Sequence, residues 1–61
     1  MVEVIEIVTV WGEQIELKVV QKSRSVWTAS GEYLGQYHSA QDRSSGTAAA
    51  RWREWATRIG G

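Results

Sequence analysis

The chain contains no cysteine, no proline, one methionine and one histidine. Without cysteine it can form neither a disulfide nor a thiolate metal site, and this fits a reducing compartment. His38 alone cannot build a zinc centre, so we predict no metal and no cofactor.

No run approaches the ~20 apolar residues of a membrane span, so we expect no membrane partner. The first six residues lack the basic region of a signal peptide, and we expect a cytoplasmic location.

The formal net charge is zero. A chain without net positive charge is poorly suited to binding a nucleic acid mainly through contacts with its phosphate groups. The charges are nevertheless segregated along the sequence. The acidic side chains of the first hairpin are Glu3, Glu6, Glu13 and Glu16, and the basic side chains that follow are Lys18, Lys22, Arg24, Arg51, Arg53 and Arg58.

With 61 residues the chain has room for one domain, which we assign to residues 1–61. A domain this short buries only about 60% of the surface of its unfolded chain, so its stability is marginal without further support. Disulfides and metals are excluded. Aromatic packing by four tryptophans and two tyrosines, or self-association, therefore has to supply that support.

The first half of the chain predicts a β-hairpin. Dense valine and isoleucine indicate a strand over about residues 2–11, and period-two alternation indicates a second over about 14–21. Gly12-Glu13 between them matches a two-residue type II′ loop. That loop pairs Val10 with Ile15 and Val8 with Leu17. It places on one face Val8, Val10, Ile15, Leu17 and Val19.

The second half predicts another hairpin and a helix. Strands are expected over about residues 25–33 and 36–43, with a polar turn at 21–25 before them and a turn at Leu34-Gly35 between them. Ser44 is a good N-cap for a helix over about 45–59. The apolar side of that helix carries Ala48, Ala49, Trp52, Trp55, Ala56 and Ile59. Gly60 is expected to end it as a C′ residue with positive φ.

These elements predict an α+β fold, a four-stranded antiparallel meander followed by one C-terminal helix packed on one face. Small residues on the predicted strands would leave room for an indole, and we place Trp52 over Ala29, Gly31 and Ala40. One helix cannot cover both faces of the sheet. The uncovered face is expected to be a homodimer interface. Its predicted members are Ile5, Ile7, Trp11, Val20, Val26 and Tyr37.

Three short patterns have a chemical interpretation and a simpler structural one. His38 and Asp42 share a strand face but lie about 13 Å apart at strand rise, too far for an acid–base pair. Ser44 to Thr47 begins a helix beside Arg43 and resembles an anion site, although capping explains the same residues. Gly60-Gly61 is similar to ubiquitin-like tails, which follow a strand rather than a helix. We therefore predict no enzyme activity.

The run from Val26 to Gly35, followed by Arg43 to Ala56, resembles short uncharacterised bacterial proteins with two β-hairpins and a helix. The resemblance covers about two-thirds of the chain. The resemblance implies the fold and implies nothing about activity. A second likeness is to HicB-type antitoxin domains, in which a strand pair leads into a helix rich in alanine and glutamate; this chain lacks their acidic helix start.

The function expected from these observations is a non-enzymatic protein-interaction module, homodimeric through the exposed sheet face. The alternative is a weak nucleic-acid-binding domain that uses basic helix and turn residues. The basic patch of that alternative comprises Lys18, Lys22, Arg24, Arg51 and Arg58.

Overall fold

The computed structural model describes residues 3–60, and the predicted strand start at residue 2 and the terminal Gly61 lie outside that range. The order of elements is four strands and then one helix. Their bounds are β1 Glu3–Val10, β2 Glu13–Ser23, β3 Val26–Tyr33, β4 Gln36–Asp42 and α1 Ser45–Gly60. The strands form one antiparallel sheet in the order β1-β2-β3-β4, and α1 packs on one side of it. The predicted fold class is confirmed.

The first hairpin has a different turn from the one predicted. Its loop is Trp11-Gly12, and both residues have positive φ, at 50° and 78°. Positive φ at both central positions defines a type I′ turn, whose twist matches that of the flanking strands. Val10 therefore pairs with Glu13, and Val8 with Ile15. The predicted II′ loop at Gly12-Glu13 is therefore wrong by one residue, and the predicted pairing of Val10 with Ile15 is wrong by two. A shift of two keeps every side chain on its predicted face.

The second hairpin repeats this turn. Leu34 and Gly35 have φ of 54° and 76°, and Tyr33 pairs with Gln36 across them. The connection between β2 and β3 is shorter than the predicted polar turn, because β2 continues to Ser23 and leaves only Arg24-Ser25 as the loop. Pairing changes register between Gln21 and Ser23. An extra residue in β2 at this bulge accommodates a loop that lacks the positive φ angles of the other two.

The helix begins with the predicted N-cap. The hydroxyl of Ser44 accepts from the backbone N–H of Thr47 at 3.3 Å, and the backbone N–H of Ser44 lies 3.3 Å from the Thr47 hydroxyl oxygen. This reciprocal pair satisfies donors that a helix start leaves free. At the other end Gly60 belongs to the helix and does not have positive φ. The expectation of a left-handed C′ residue was therefore wrong. A Cβ at Gly60 would lie 2.8 Å from the Tyr33 hydroxyl, so close packing explains the glycine.

The core lies between the sheet and α1. Trp52 is fully buried, and its Cζ2 lies 3.3 Å from where a Cβ on Gly31 would stand. Its indole N–H donates to the carbonyl oxygen of His38 at 3.0 Å, which satisfies the one polar atom of the ring. The predicted placement of Trp52 over small strand residues is confirmed at Gly31. The other buried apolar residues are Val10, Leu17, Val19, Ala29, Tyr33, Ala48, Ala49 and Ala56.

Candidate interaction surface

The sheet face opposite α1 is open along the described chain. Side chains alternate between faces, so the residues that neighbour core positions in each strand lie on this open face. Ile5 and Ile7 are its most exposed aliphatic residues, at 55% and 62%. Val20 and Val26 lie on the same face and are half-buried. Cross-strand pairing sets Val20 between Glu3 and Thr28, and Ile5 beside Lys18. We call this surface the open face.

Two aromatic residues complete the predicted interface set, and the structure separates them. Tyr37 is 71% exposed and pairs with Glu32, so it lies on the open face. Trp11 does not lie there. Its indole Nε1 donates to the carbonyl oxygen of Thr57 at 3.1 Å, on the helix side. The placement of Trp11 in the interface is corrected, because the I′ turn directs the ring to the C-terminal end of α1.

The open face carries charge of both signs. The ammonium of Lys18 lies 3.7 Å from the Glu3 carboxylate, and both side chains are more than half exposed. Glu16, beside Ile7, and Glu32, beside Tyr37, add negative charge toward one end. An exposed ion pair of this kind contributes about 0–1 kcal/mol to stability. The pair therefore contributes little to the stability of the sheet.

A shallow groove of about 340 Å³ runs between β4 and α1. The imidazole of His38 stacks on the indole of Trp55, with ring centroids 4.3 Å apart and planes 12° from parallel. Nearby, Arg51 Nε donates to the Asp42 carboxylate at 2.7 Å. This bond, with the backbone N–H of Arg43, lowers the pKa of Asp42, and the same pair raises the pKa of Arg51. His38 and Asp42 are each engaged by α1, in packing and in an ion pair respectively.

The residues of the predicted basic patch are distributed over three places. Lys18 lies on the open face, next to Ile5. Lys22 and Arg24 lie together at the end of β2 and its turn. Arg51 and Arg58 line the groove between β4 and α1, and Arg51 is held by Asp42. The fold therefore brings these cations together at most in pairs and not in one patch. A nucleic-acid interface stays a prediction.

Two contacts of the helix were missed from the sequence. Arg53 Nε donates to the carbonyl oxygen of Thr9 at 3.0 Å, and Trp11 donates to Thr57. Both join residues more than 40 positions apart, so no local pattern indicates them. The only available signal was tryptophan before glycine at a hairpin turn, where asparagine or aspartate is usual.

Comparison of the chain with protein-family models, with curated proteins and with solved structures finds no match. Within residues 3–60, no cluster of three or more histidine or acidic side chains has the arrangement of a metal site. No helix in the same range is long and apolar enough to span a membrane. The resemblance to short bacterial proteins of this architecture therefore stays a prediction. The open face is the feature of the described residues that bears on function.

Proposed function

We propose that this protein is a small non-enzymatic interaction module, and that its open face binds the open face of a second copy. The observation that carries the proposal is the exposure of Ile5 and Ile7, both above one half, on a sheet face that α1 does not cover. Adjacent exposed aliphatic residues on one face are typical of protein–protein contacts.

The size of the core supports self-association. Among residues 3–60, four of the nine buried apolar residues are alanines, and the largest contribution comes from Trp52. A domain of about 60 residues has little stability to spare. Burying the open face of two copies together would remove further apolar surface from water and stabilise both, because a species that binds only the folded state raises its population.

The charges on the open face support a second copy as the occupant. Lys18 lies beside Ile5 and forms an exposed ion pair with Glu3, whereas Glu16, beside Ile7, and Glu32, beside Tyr37, lie toward the other end. An antiparallel stack about a two-fold axis can set Lys18 of each copy near the acidic end of the other. A closed two-fold contact of this type uses the same patch on both chains. Self-complementary charge of this kind favours one orientation over others.

The open face is small for a protein–protein interface. Four strands about 4.8 Å apart, each about eight residues long at about 3.3 Å per residue, span roughly 15 by 26 Å. This is smaller than the ~800 Å² per partner of a standard stable interface. We therefore expect association at micromolar to millimolar concentrations rather than a permanent dimer.

Sedimentation equilibrium tests the proposal over a concentration range from about 10 μM to 1 mM. The double substitution Ile7→Thr with Val20→Thr removes apolar surface from the open face and keeps β-branched residues in the strands. We expect it to reduce the mass of the largest species at least by half. The matched control is Leu34→Asn, which removes an equally exposed leucine from a turn. A wild-type chain that stays monomeric at 1 mM, or a double variant that associates like the wild type, would refute the proposal.

A further inference from the structure

The outer edge of β1 carries free backbone groups at defined positions. In a two-residue hairpin the residues beside the turn form a hydrogen-bonded pair, and hydrogen-bonded pairs then alternate with non-bonded ones. Val10 and Glu13 are the pair beside the Trp11-Gly12 turn. The N–H and C=O groups that point away from β2 therefore belong to Glu3, Ile5, Ile7 and Thr9. The contact from Arg53 to the Thr9 carbonyl lies on this outer side and agrees with the assignment.

This edge has few of the features that protect edge strands. Natural edges are blocked by proline, by lysine, by bulges or by a covering element. β1 contains neither proline nor lysine, and its pairing with β2 is continuous from Glu3 to Val10. Its two glutamates, Glu3 and Glu6, are its only charged side chains. The Thr9 carbonyl is covered by Arg53. Glu3, Ile5 and Ile7 have no such cover among the described residues.

We propose that β1 pairs edge to edge with β1 of a second copy, antiparallel and centred on Ile5, so that the two sheets join into one. This goes beyond the proposed function, because it uses the backbone edge of β1 rather than the side chains of the open face. The two contacts are compatible, since a chain can stack one face and pair one edge at the same time.

The register follows from two obstacles. A two-fold axis at Ile7 would pair Ile5 with Thr9 of the second copy, where Arg53 already occupies the carbonyl. An axis at Glu6 would set two Glu6 carboxylates opposite each other in a close non-hydrogen-bonded pair, with about 4.5 Å between Cα atoms. An axis at Ile5 avoids both.

In the Ile5-centred register, Ile5 pairs with its own copy, Glu3 pairs with Ile7, and Val4 lies opposite Glu6. About six backbone hydrogen bonds then close the seam. Ile5 and Ile7 of both chains become diagonal neighbours across it and form one apolar ribbon. Val4, which is 40% exposed, gains a neighbour on the helix side. Registers centred nearer residue 3 pair fewer of the described residues.

β4, the other edge strand, is less suited to this pairing. The same alternation from the Leu34-Gly35 turn gives its outward backbone groups to Tyr37, Ser39 and Gln41. On its helix side the groove is lined by the long side chains of Arg51 and Arg58. Those side chains occupy space that the side chains of a neighbouring strand would need. β4 therefore supplies the control position for the experiment.

The test uses chemically synthesised chains, which a length of 61 residues permits. N-methylation of Ile5 removes one outward N–H and places a methyl group in the seam. It leaves every side chain and every internal hydrogen bond of the hairpin in place. N-methylation of Gln41 makes the same change on the β4 edge. Near-UV circular dichroism of the tryptophans verifies that both chains fold.

The readout is an interchain NOE between the Hα of Val4 and the Hα of Glu6, in a mixture of isotope-labelled and unlabelled chains. We expect it in the unmodified protein and in the N-methyl-Gln41 chain, and we expect its loss in the N-methyl-Ile5 chain. Association should also need about tenfold higher concentration in that chain, as two bonds are lost. Absence of the NOE from the unmodified protein, or its persistence in the N-methyl-Ile5 chain, would overturn the inference.

The outcome is separable from that of the proposed function. The Ile7→Thr and Val20→Thr changes leave the edge backbone and its hydrogen bonds intact, although Ile7→Thr also removes an apolar side chain beside the seam, so the NOE is measured in this double variant as well. N-methyl-Ile5 changes the edge backbone and leaves every side chain of the open face in place. If the face associates but the NOE is missing, the edge pairing is refuted and the proposed function stands. If the NOE is present but the threonine substitutions have no effect on mass, the proposed function is refuted and the edge pairing stands.

Discussion

Trp11, in the first hairpin turn, donates its indole N–H to the carbonyl oxygen of Thr57, near the end of the helix, at 3.1 Å. The contact joins the turn between β1 and β2 to the last part of α1, across 46 positions. It also explains why an aromatic residue occupies a position with φ of 50°, where a large side chain is unfavourable. Leu34 occupies the equivalent position of the second hairpin at φ 54° and is 62% exposed.

The first prediction compares asparagine at these two turn positions. Asn-Gly is the favoured type I′ pair, because asparagine tolerates positive φ. Leu34→Asn should therefore raise the free energy of unfolding by up to about 1 kcal/mol. Trp11→Asn gains the same backbone preference, but it loses the hydrogen bond to Thr57 and the packing of the ring near Gly60. It should therefore lower the free energy of unfolding by about 1 kcal/mol. Urea unfolding of both variants measures the difference; equal effects at the two positions would contradict the role assigned to Trp11.

The second prediction compares alanine at two glycines. A Cβ at Gly31 would lie 2.6 Å from Leu17 Cδ2 and 3.3 Å from Trp52 Cζ2, whereas a Cβ at Gly46 meets nothing within 4 Å. Gly31→Ala should overpack the core and destabilise by about 1–3 kcal/mol. Gly46→Ala should stabilise by about 0.5–1 kcal/mol, because alanine loses less backbone entropy in a helix. Thermal unfolding monitored by circular dichroism gives both values. A harmless Gly31→Ala would show that Trp52 does not pack tightly there.

Much of the fold could be predicted from local pattern, for reasons these residues make clear. Period-two alternation from Ile15 to Val19 fixes which side chains face the core, and the spacing of Trp52, Trp55 and Ile59 fixes the helix face. Turn type could not be fixed the same way. Gly12 suits the first position of a II′ turn and the second position of a I′ turn, and the local pattern does not choose between them.

The open face was predictable in part for the same reason. Ile5, Ile7, Val20 and Tyr37 belong to regular alternation, so their shared face follows from strand geometry. Trp11 lies in a turn, where alternation stops, and its direction depends on the helix end. The assignment of free edge groups was beyond reach, since it requires the hairpin register, which differs by two residues from the one predicted.

The third prediction concerns pH. The hydrogen bond from Arg51, with that from the Arg43 backbone, holds the pKa of Asp42 in the folded chain below its ordinary value. The unfolded chain therefore takes up the proton first as pH falls. The stabilisation by this carboxylate is complete above the unfolded-state pKa of about 3.9 and disappears as pH drops through the lower folded pKa.

The measurement is the free energy of unfolding in urea from pH 7 to pH 2, for the wild type and for Asp42→Asn. We expect the wild type to be more stable at neutral pH and the two curves to converge below about pH 4. Arg51→Gln should reproduce the loss, and the double variant should add little to either single one, because both remove the same bond. A gap between the curves that stays constant with pH would exclude the ion pair as its cause.

The last prediction tests the buried indole on which the helix packing depends. Trp52 is fully buried, meets Tyr33 edge-on at 6.5 Å between ring centroids, and donates to the His38 carbonyl. Trp52→Ala should cost about 3–5 kcal/mol. A chain of this length has about 3–9 kcal/mol in total, so this variant loses a large share of it and is a poor measure of the hydrogen bond.

Trp52→Phe is the informative change, and Trp55→Phe is its control in the same helix. Phenylalanine at position 52 keeps an aromatic ring over Gly31 but leaves a gap and removes the donor to His38, which should cost about 1–3 kcal/mol. Trp55 is only half-buried, and a phenyl ring there can still stack on the His38 imidazole, so its replacement should cost less than about 1 kcal/mol. Midpoints of urea unfolding compare the two. If the two midpoints shift equally, burial and hydrogen bonding at position 52 do not anchor the helix. The sheet face under α1 would then not be the tightly packed face that distinguishes it from the open face.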